Sequence, residues 1–170
     1  MPEPYCFDIE ILLNECQPGS VLVIGSGADE AVENYLDQKQ LLGRECTIDR
    51  LRENPHAESI SRRYDVGIVT DTIEHLDKRD AIRLLSRLRD LYTARFCVAV
   101  RIGNDWTGFK TTWTRNELLS IGMMLVSSHE DDDRRRTQLY KYDISTYKPT
   151  PRWLNPDNWA NPELWNKYRW

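Results

Sequence analysis

Apolar residues recur along this chain in short blocks that switch between helical and strand periodicity. In residues 8–16, Ile9, Leu12, Leu13 and Cys16 fall at helical spacing and share one face. Gln17-Pro18-Gly19-Ser20 ends that helix, because proline cannot continue it and glycine suits the turn. Val21-Leu22-Val23-Ile24 is a continuous apolar, largely β-branched run without alternation, so it predicts a strand covered on both faces. Gly25-Ser26-Gly27 closes it, and residues 29–42 return to helical spacing with Val32, Tyr35, Leu36 and Leu42 facing inward. Cys46-Thr47-Ile48 is a second brief strand closed by Asp49, and Val66-Gly67-Ile68-Val69-Thr70 is a third apolar run. Asp80 to Tyr92 is amphipathic, with Ile82, Leu85, Leu88 and Tyr92 on one side. Phe96-Cys97-Val98-Ala99-Val100 is another strand of the buried type.

Helices alternating with buried strands predict an α/β, Rossmann-like three-layer sandwich on a mostly parallel sheet. After residue 113 the pattern changes. Thr114-Arg115-Asn116-Glu117 is a capping box leading into Leu118-Leu119, and Gly122 closes this short helix. Met123-Met124-Leu125-Val126 opens a strand, and the charged turn 131–136 separates it from Gln138 to Ile144. Two strands this close in sequence pair antiparallel, since a parallel return needs a dozen or more residues. The expected organisation is an α/β domain over residues 1–148 and a Trp/Pro-rich extension over 149–170.

Composition narrows the function classes. The chain has 170 residues, with Lys+Arg 23 against Asp+Glu 27 and a net charge of −4. No global positive field draws it to nucleic acid or an anionic membrane. The arginines at 83, 87, 89 and 95 are interrupted by Asp80 and Asp90, and Arg134-Arg135-Arg136 follows three aspartates. No apolar stretch is long enough for a membrane span, and the N-terminus lacks a signal-peptide pattern. The four cysteines have no CxxC spacing, and the acids and histidines lack compact ligand spacing, so no metal site is expected. These features predict a reduced, cytoplasmic protein. Of 6 Trp, 8 Tyr and 3 Phe, eight lie between Tyr140 and Trp170, and four of these are tryptophans.

Candidate chemistry begins at the first strand–Gly–helix unit. A strand emptying into Gly25-Ser26-Gly27 leaves backbone N–H groups where a ligand can approach, although glycine also serves a tight turn by itself. Asp49 stands 24 residues after Gly25, where nucleotide-binding sheets carry a ribose-binding carboxylate. From about residue 8 to 145 the chain resembles the class I S-adenosylmethionine-dependent methyltransferases. Val21 to Gly27 is similar to their glycine-rich motif and Asp49 to their ribose-binding acid. Tyr64 to Leu76, including Asp71-Thr72-Ile73-Glu74-His75, is similar to the segment around their fourth strand. The resemblance implies a seven-stranded sheet with an antiparallel last strand and S-adenosylmethionine as cofactor. It makes Gly25, Ser26, Gly27, Asp49, Asp71 and Thr72 the cofactor-binding candidates. Asp71 and His75 are the candidate catalytic residues, His75 because imidazole titrates near neutrality.

Three departures bear on function. The position two before the first glycine is Val23 instead of an acid, and Asp29 takes the third glycine position. Only 15 residues, Arg50 to Tyr64, separate Asp49 from Asp65. A helix and strand of about 12 and 5 residues plus connections do not fit there. Either the third strand is absent or the helix is reduced to a turn near Glu58 to Arg63, leaving the adenine side incomplete or rebuilt from elsewhere in the chain. Two functions follow: methyl transfer to a small-molecule or protein acceptor, or a non-catalytic relative used for binding. The tail holds Trp153, Trp159, Trp165 and Trp170 with Asn-Pro twice between them. It either completes the core, covers the site, or docks a protein partner or a second copy.

Overall fold

The computed structural model describes residues 3–52, 57–146 and 167. The tail at 149–170, apart from Lys167, lies outside the described residues, and with it all four of its tryptophans. Helix α1 (Cys6–Cys16) leads into strand β1 (Ser20–Ile24), α2 (Asp29–Leu41) and β2 (Thr47–Leu51). A 3₁₀ turn (Ala57–Ser59) precedes β3 (Tyr64–Thr70), α3 (Lys78–Arg87), a π-helical turn (Leu88–Tyr92) and β4 (Thr93–Ile102). Then come α4 (Arg115–Ser120), β5 (Met124–Glu130) and β6 (Arg136–Asp143).

The strands form one sheet in the order β2-β1-β3-β4-β6-β5. The first four are parallel, and β6 runs antiparallel between β4 and β5. This is the expected α/β sandwich with six strands among the described residues, not seven. Among the described residues between β2 and β3 only the 3₁₀ turn is regular, and β2 is an edge strand of the described sheet.

Each face of the sheet carries its own core, because alternate side chains of a strand point to opposite faces. Val21, Val23, Val66, Ile68, Cys97, Ala99 and Leu139 pack under α1 and α2. Leu22, Ile24, Val69, Phe96, Val98, Val100 and Tyr140 pack under α3 and α4. The unalternating apolar runs of β1, β3 and β4 thus serve two interiors at once.

The first helix does stop at the expected segment, where its cap Gln17 takes the left-handed conformation at φ 46°. Several local expectations are corrected. Leu42 lies past the end of α2 and is 67% exposed, while the buried positions there include Ala31 and Lys39. The inward stripe after residue 80 is Ala81, Leu84, Leu85 and Leu88, and Ile82 is 40% exposed. Asp49 sits at the centre of β2 instead of closing it. The capping box is present in full: Thr114 accepts from the Glu117 N–H, and Glu117 accepts from the Thr114 N–H at 2.8 Å. Among the described residues, no helix is long and apolar enough to cross a membrane.

Candidate functional site

The strand order reverses between β1 and β3, because the chain leaves β1 toward β2 on one side and returns to β3 on the other. In open α/β sheets the crevice at that reversal, outside the carboxyl ends of the strands, is where ligands bind. Gly25 occupies it with φ +89°, and a Cβ there would lie 1.8 Å from the Thr70 carbonyl oxygen. That carbonyl also accepts from Thr72 Oγ1 at 2.7 Å, so the ends of β1 and β3 are tightly joined. At Gly27 a Cβ would lie 2.2 Å from the Tyr5 hydroxyl. Both glycines are thus required by neighbours inside the chain.

A cleft of about 520 Å³ opens here, lined by Gly25, Ser26, Arg52, Asp71, Thr72, His75 and Leu76. That volume is within the usual range for small-molecule sites. Of the predicted site residues, the cleft brings together Gly25, Ser26, Asp71, Thr72 and His75. Gly27 and Asp49 do not line it. Asp49 pairs opposite Leu22, two positions before the end of β2. Its Oδ2 accepts from the Tyr64 hydroxyl at 2.6 Å and from Arg62 Nε at 3.0 Å. These bonds, Tyr64's first, hold the Asp49 carboxyl below its ordinary range. The residue that β2 delivers to the cleft is Arg52, whose Nη2 lies 2.8 Å from Asp29 Oδ2. Arg50 Nε adds a looser contact at 3.5 Å to the other oxygen of Asp29.

Asp71 has φ +50°, and its Oδ1 accepts from Arg101 Nη1 at 2.6 Å. His75 Nε2 stands 3.7 Å from the same oxygen. Behind them Glu74 is 1% exposed; its Oε1 accepts from the Arg101 backbone N–H at 2.9 Å. Its Oε2 has no hydrogen-bond partner among the described residues. Burial raises the Glu74 carboxyl above its ordinary value, against the lowering pull of the Arg101 N–H. The Glu74 carbonyl accepts from the N–H groups of Lys110 and Thr111, which anchors the loop after β4. That loop stacks Trp106 and Phe109 against Arg101, whose Cζ lies 5.6 and 5.0 Å from the two ring centroids. Phe109 meets His75 edge-on at 5.2 Å. An aromatic and guanidinium cluster with paired charges therefore backs Asp71 and His75 beside the cleft.

Sequence reasoning missed Tyr5, Arg52, Arg101, Trp106 and Phe109. Arg101 carried one usable signal, as the first charged residue after the buried run 96–100. The arginines considered as a basic surface each have a carboxylate beside them. Arg83 and Arg87 share Glu58, Arg89 meets Asp90, and Arg95 meets Asp143. A second, smaller cavity of about 220 Å³ lies between α1 and the early residues of β3 and β4. It has no glycine turn and stands away from the carboxyl ends of the parallel strands, so the larger cleft is the candidate site.

This six-stranded sheet, its antiparallel last strand and the cleft at its reversal point define a class I S-adenosylmethionine-dependent methyltransferase-like fold. Three solved structures illustrate the match. TehB from Haemophilus influenzae aligns at TM-score 0.54 and 14% identity, over 81% of this chain and 62% of that one. The Burkholderia thailandensis 1,6-didemethyltoxoflavin-N1-methyltransferase, solved with bound 1,6-didemethyltoxoflavin and S-adenosylhomocysteine, aligns at 0.54 and 14%, over 83% and 79%. Magnesium protoporphyrin IX methyltransferase (ChlM) from Synechocystis PCC 6803, with S-adenosylhomocysteine bound, aligns at 0.51 and 12%, over 80% of each chain. Within that fold the chain belongs to the family described as "Family of unknown function (DUF6231)", whose model matches residues 6–170. No curated protein matches it.

Proposed function

We propose that this chain uses the methyltransferase fold as a ligand-binding module and does not carry out methyl transfer from S-adenosylmethionine. The observation that carries this reading is the exchange of charge at the end of β2. A ribose diol needs a carboxylate acceptor there. The cleft instead meets the Arg52 guanidinium, while Asp49 is turned to Tyr64 and Arg62. The Tyr5 hydroxyl also fills the space that Gly27 leaves, and no strand lies beyond β2 among the described residues to wall an adenine. The residues present do not fit the cofactor's nucleoside half.

Calorimetric titration of the full chain with S-adenosylmethionine and S-adenosylhomocysteine tests the reading. The expected result is no heat of binding and no thermal shift at millimolar ligand. A ligand at 100 times its dissociation constant adds about 2.7 kcal/mol of stability, so saturable binding would be plain and would overturn the proposal.

A second reading, methyl transfer to a small-molecule or protein acceptor, is favoured by one observation. Asp71, Thr72 and His75 share the cleft with the first glycine turn. Under it, Asp71 and His75 are the groups available to hold or take a proton, and the same titration decides between the two.

A further inference from the structure

The smaller cavity is walled by Leu12, Leu13 and Cys16 of α1 and floored by Ile68 and Cys97, with the Arg95–Asp143 ion pair at its rim. At about 220 Å³ it exceeds the roughly 150 Å³ of an apolar cavity that admits benzene, so one indole fits. The chain itself passes this rim. Asp143 ends β6 and lines the cavity, and the next residue, Ile144, donates its N–H to the Ala94 carbonyl at 3.1 Å. Ile144 is 61% exposed, an apolar side chain left open beside an apolar recess.

Past Thr146 the sequence continues for 24 residues and carries four tryptophans. Trp153 is the first, seven residues beyond Thr146, a span of at most about 25 Å of extended chain. Pro149 and Pro151 restrict the intervening backbone, which lowers the entropy lost when it is pinned. The family model runs through this segment to residue 170 instead of stopping with the sheet.

We propose that the cavity beside α1 is a docking site for the chain's own C-terminal segment, with the Trp153 indole as its occupant. Indole suits the place chemically: its rings replace solvent over the partly buried Leu12 and Cys16, above Leu13 and Ile68, which are already buried. Its single N–H needs an acceptor, which Glu15 and Asp143 of the lining offer. This inference is independent of what the larger cleft binds.

Cys16 reports on occupancy, because it lines the cavity and is half-buried, and burial already raises its thiol above the ordinary range. Cys97, pushed up to about 12 by burial, does not compete. The full-length chain is treated with iodoacetamide and the Cys16 peptide is followed by mass, over a wide range of protein concentration. Slow alkylation independent of concentration is expected for the native chain, several-fold faster alkylation for Trp153→Ala, and native protection for Trp153→Phe. Trp159→Ala, Trp165→Ala and Trp170→Ala are expected to behave like the native chain. Circular dichroism confirms that each variant is folded. Equal rates in native and Trp153→Ala chains overturn the proposal, as does exposure of Cys16 by one of the other tryptophan variants instead. Protection that disappears on dilution assigns the cavity to a second copy and also overturns it.

Discussion

Asp71 and Arg101 tie the carboxyl end of β3 to that of β4 through one 2.6 Å hydrogen bond, made while Asp71 holds φ +50°. A left-handed backbone costs an ordinary residue roughly 1–2 kcal/mol, and aspartate tolerates it better than most. The ion pair is half-buried and backed by two aromatic rings, so its charges are less screened than those of a surface pair. The same contact that shapes the rim of the cleft therefore holds the chain in an unfavourable conformation.

That relationship separates two substitutions. Asp71→Asn keeps a side chain suited to the left-handed region but loses the charge, and is expected to cost about 1.5–3 kcal/mol. Asp71→Ala loses the charge and adds the backbone strain, so its cost is expected to be larger by about 1 kcal/mol. Urea unfolding of both variants checks this. Equal costs would mean that φ at residue 71 relaxes once the ion pair is gone.

Gly27 and Tyr5 are coupled by exclusion. Gly27→Ala drives a methyl to 2.2 Å from the Tyr5 hydroxyl and is expected to destabilise by about 1–3 kcal/mol. Removing that oxygen with Tyr5→Phe is expected to recover much of the loss, which a double-mutant cycle measures. Gly25→Ala should not be rescued in this way, because its clash is with the Thr70 backbone and its φ is +89°. If Tyr5→Phe rescues nothing at Gly27, the hydroxyl is not what makes glycine necessary there.

Glu74 gives the pH dependence its sign. Its raised carboxyl means that the folded chain keeps a proton that the unfolded chain, with a glutamate near 4.5, has released. The associated stability is complete below that unfolded value and is lost as pH rises through the folded one. Glu74→Gln is expected to flatten this part of the stability curve and to melt no lower than the native chain at neutral pH. Thermal unfolding between pH 4 and pH 8 measures it. An unchanged slope in the variant would assign the titration to another group.

The short helix α4 depends on its cap. Thr114→Ala removes the acceptor for the Glu117 N–H and is expected to cost about 1 kcal/mol. Glu117→Ala should cost at least as much, since its Oε1 also meets Lys78 Nζ at 2.9 Å. Chemical denaturation reads both. No measurable loss in Thr114→Ala would mean that tertiary packing alone holds the helix.

How much of this was legible varied with the range of the interaction. The β1, β3 and β4 runs were recognisable because burial on both faces writes a continuous apolar string. The capping box at Thr114 and the β5–β6 hairpin were legible because their partners are a few residues apart. Ile82 was misassigned, because the buried stripe runs through the smaller Ala81 and then Leu84 and Leu85. Asp49 looks like a strand end because its charge breaks the short apolar run, whereas pairing with β1 carries β2 on to Leu51.

By itself the sequence determined the α/β class, the order of the elements, the glycine turn at 25–27 and the lack of room for a full third strand unit. Those follow from periodicity, turn chemistry and chain length, all of which act over a few residues or set simple limits. Only the tertiary structure decided that Arg52 and not Asp49 reaches the cleft, that Tyr5 fills the space at Gly27, and that Arg101 engages Asp71. Each of these depends on strand register, or on contacts between groups more than 20 residues apart. One residue of slip in β2 moves a carboxylate from one face of the sheet to the other, and nothing in the local pattern of polar and apolar residues reports that slip.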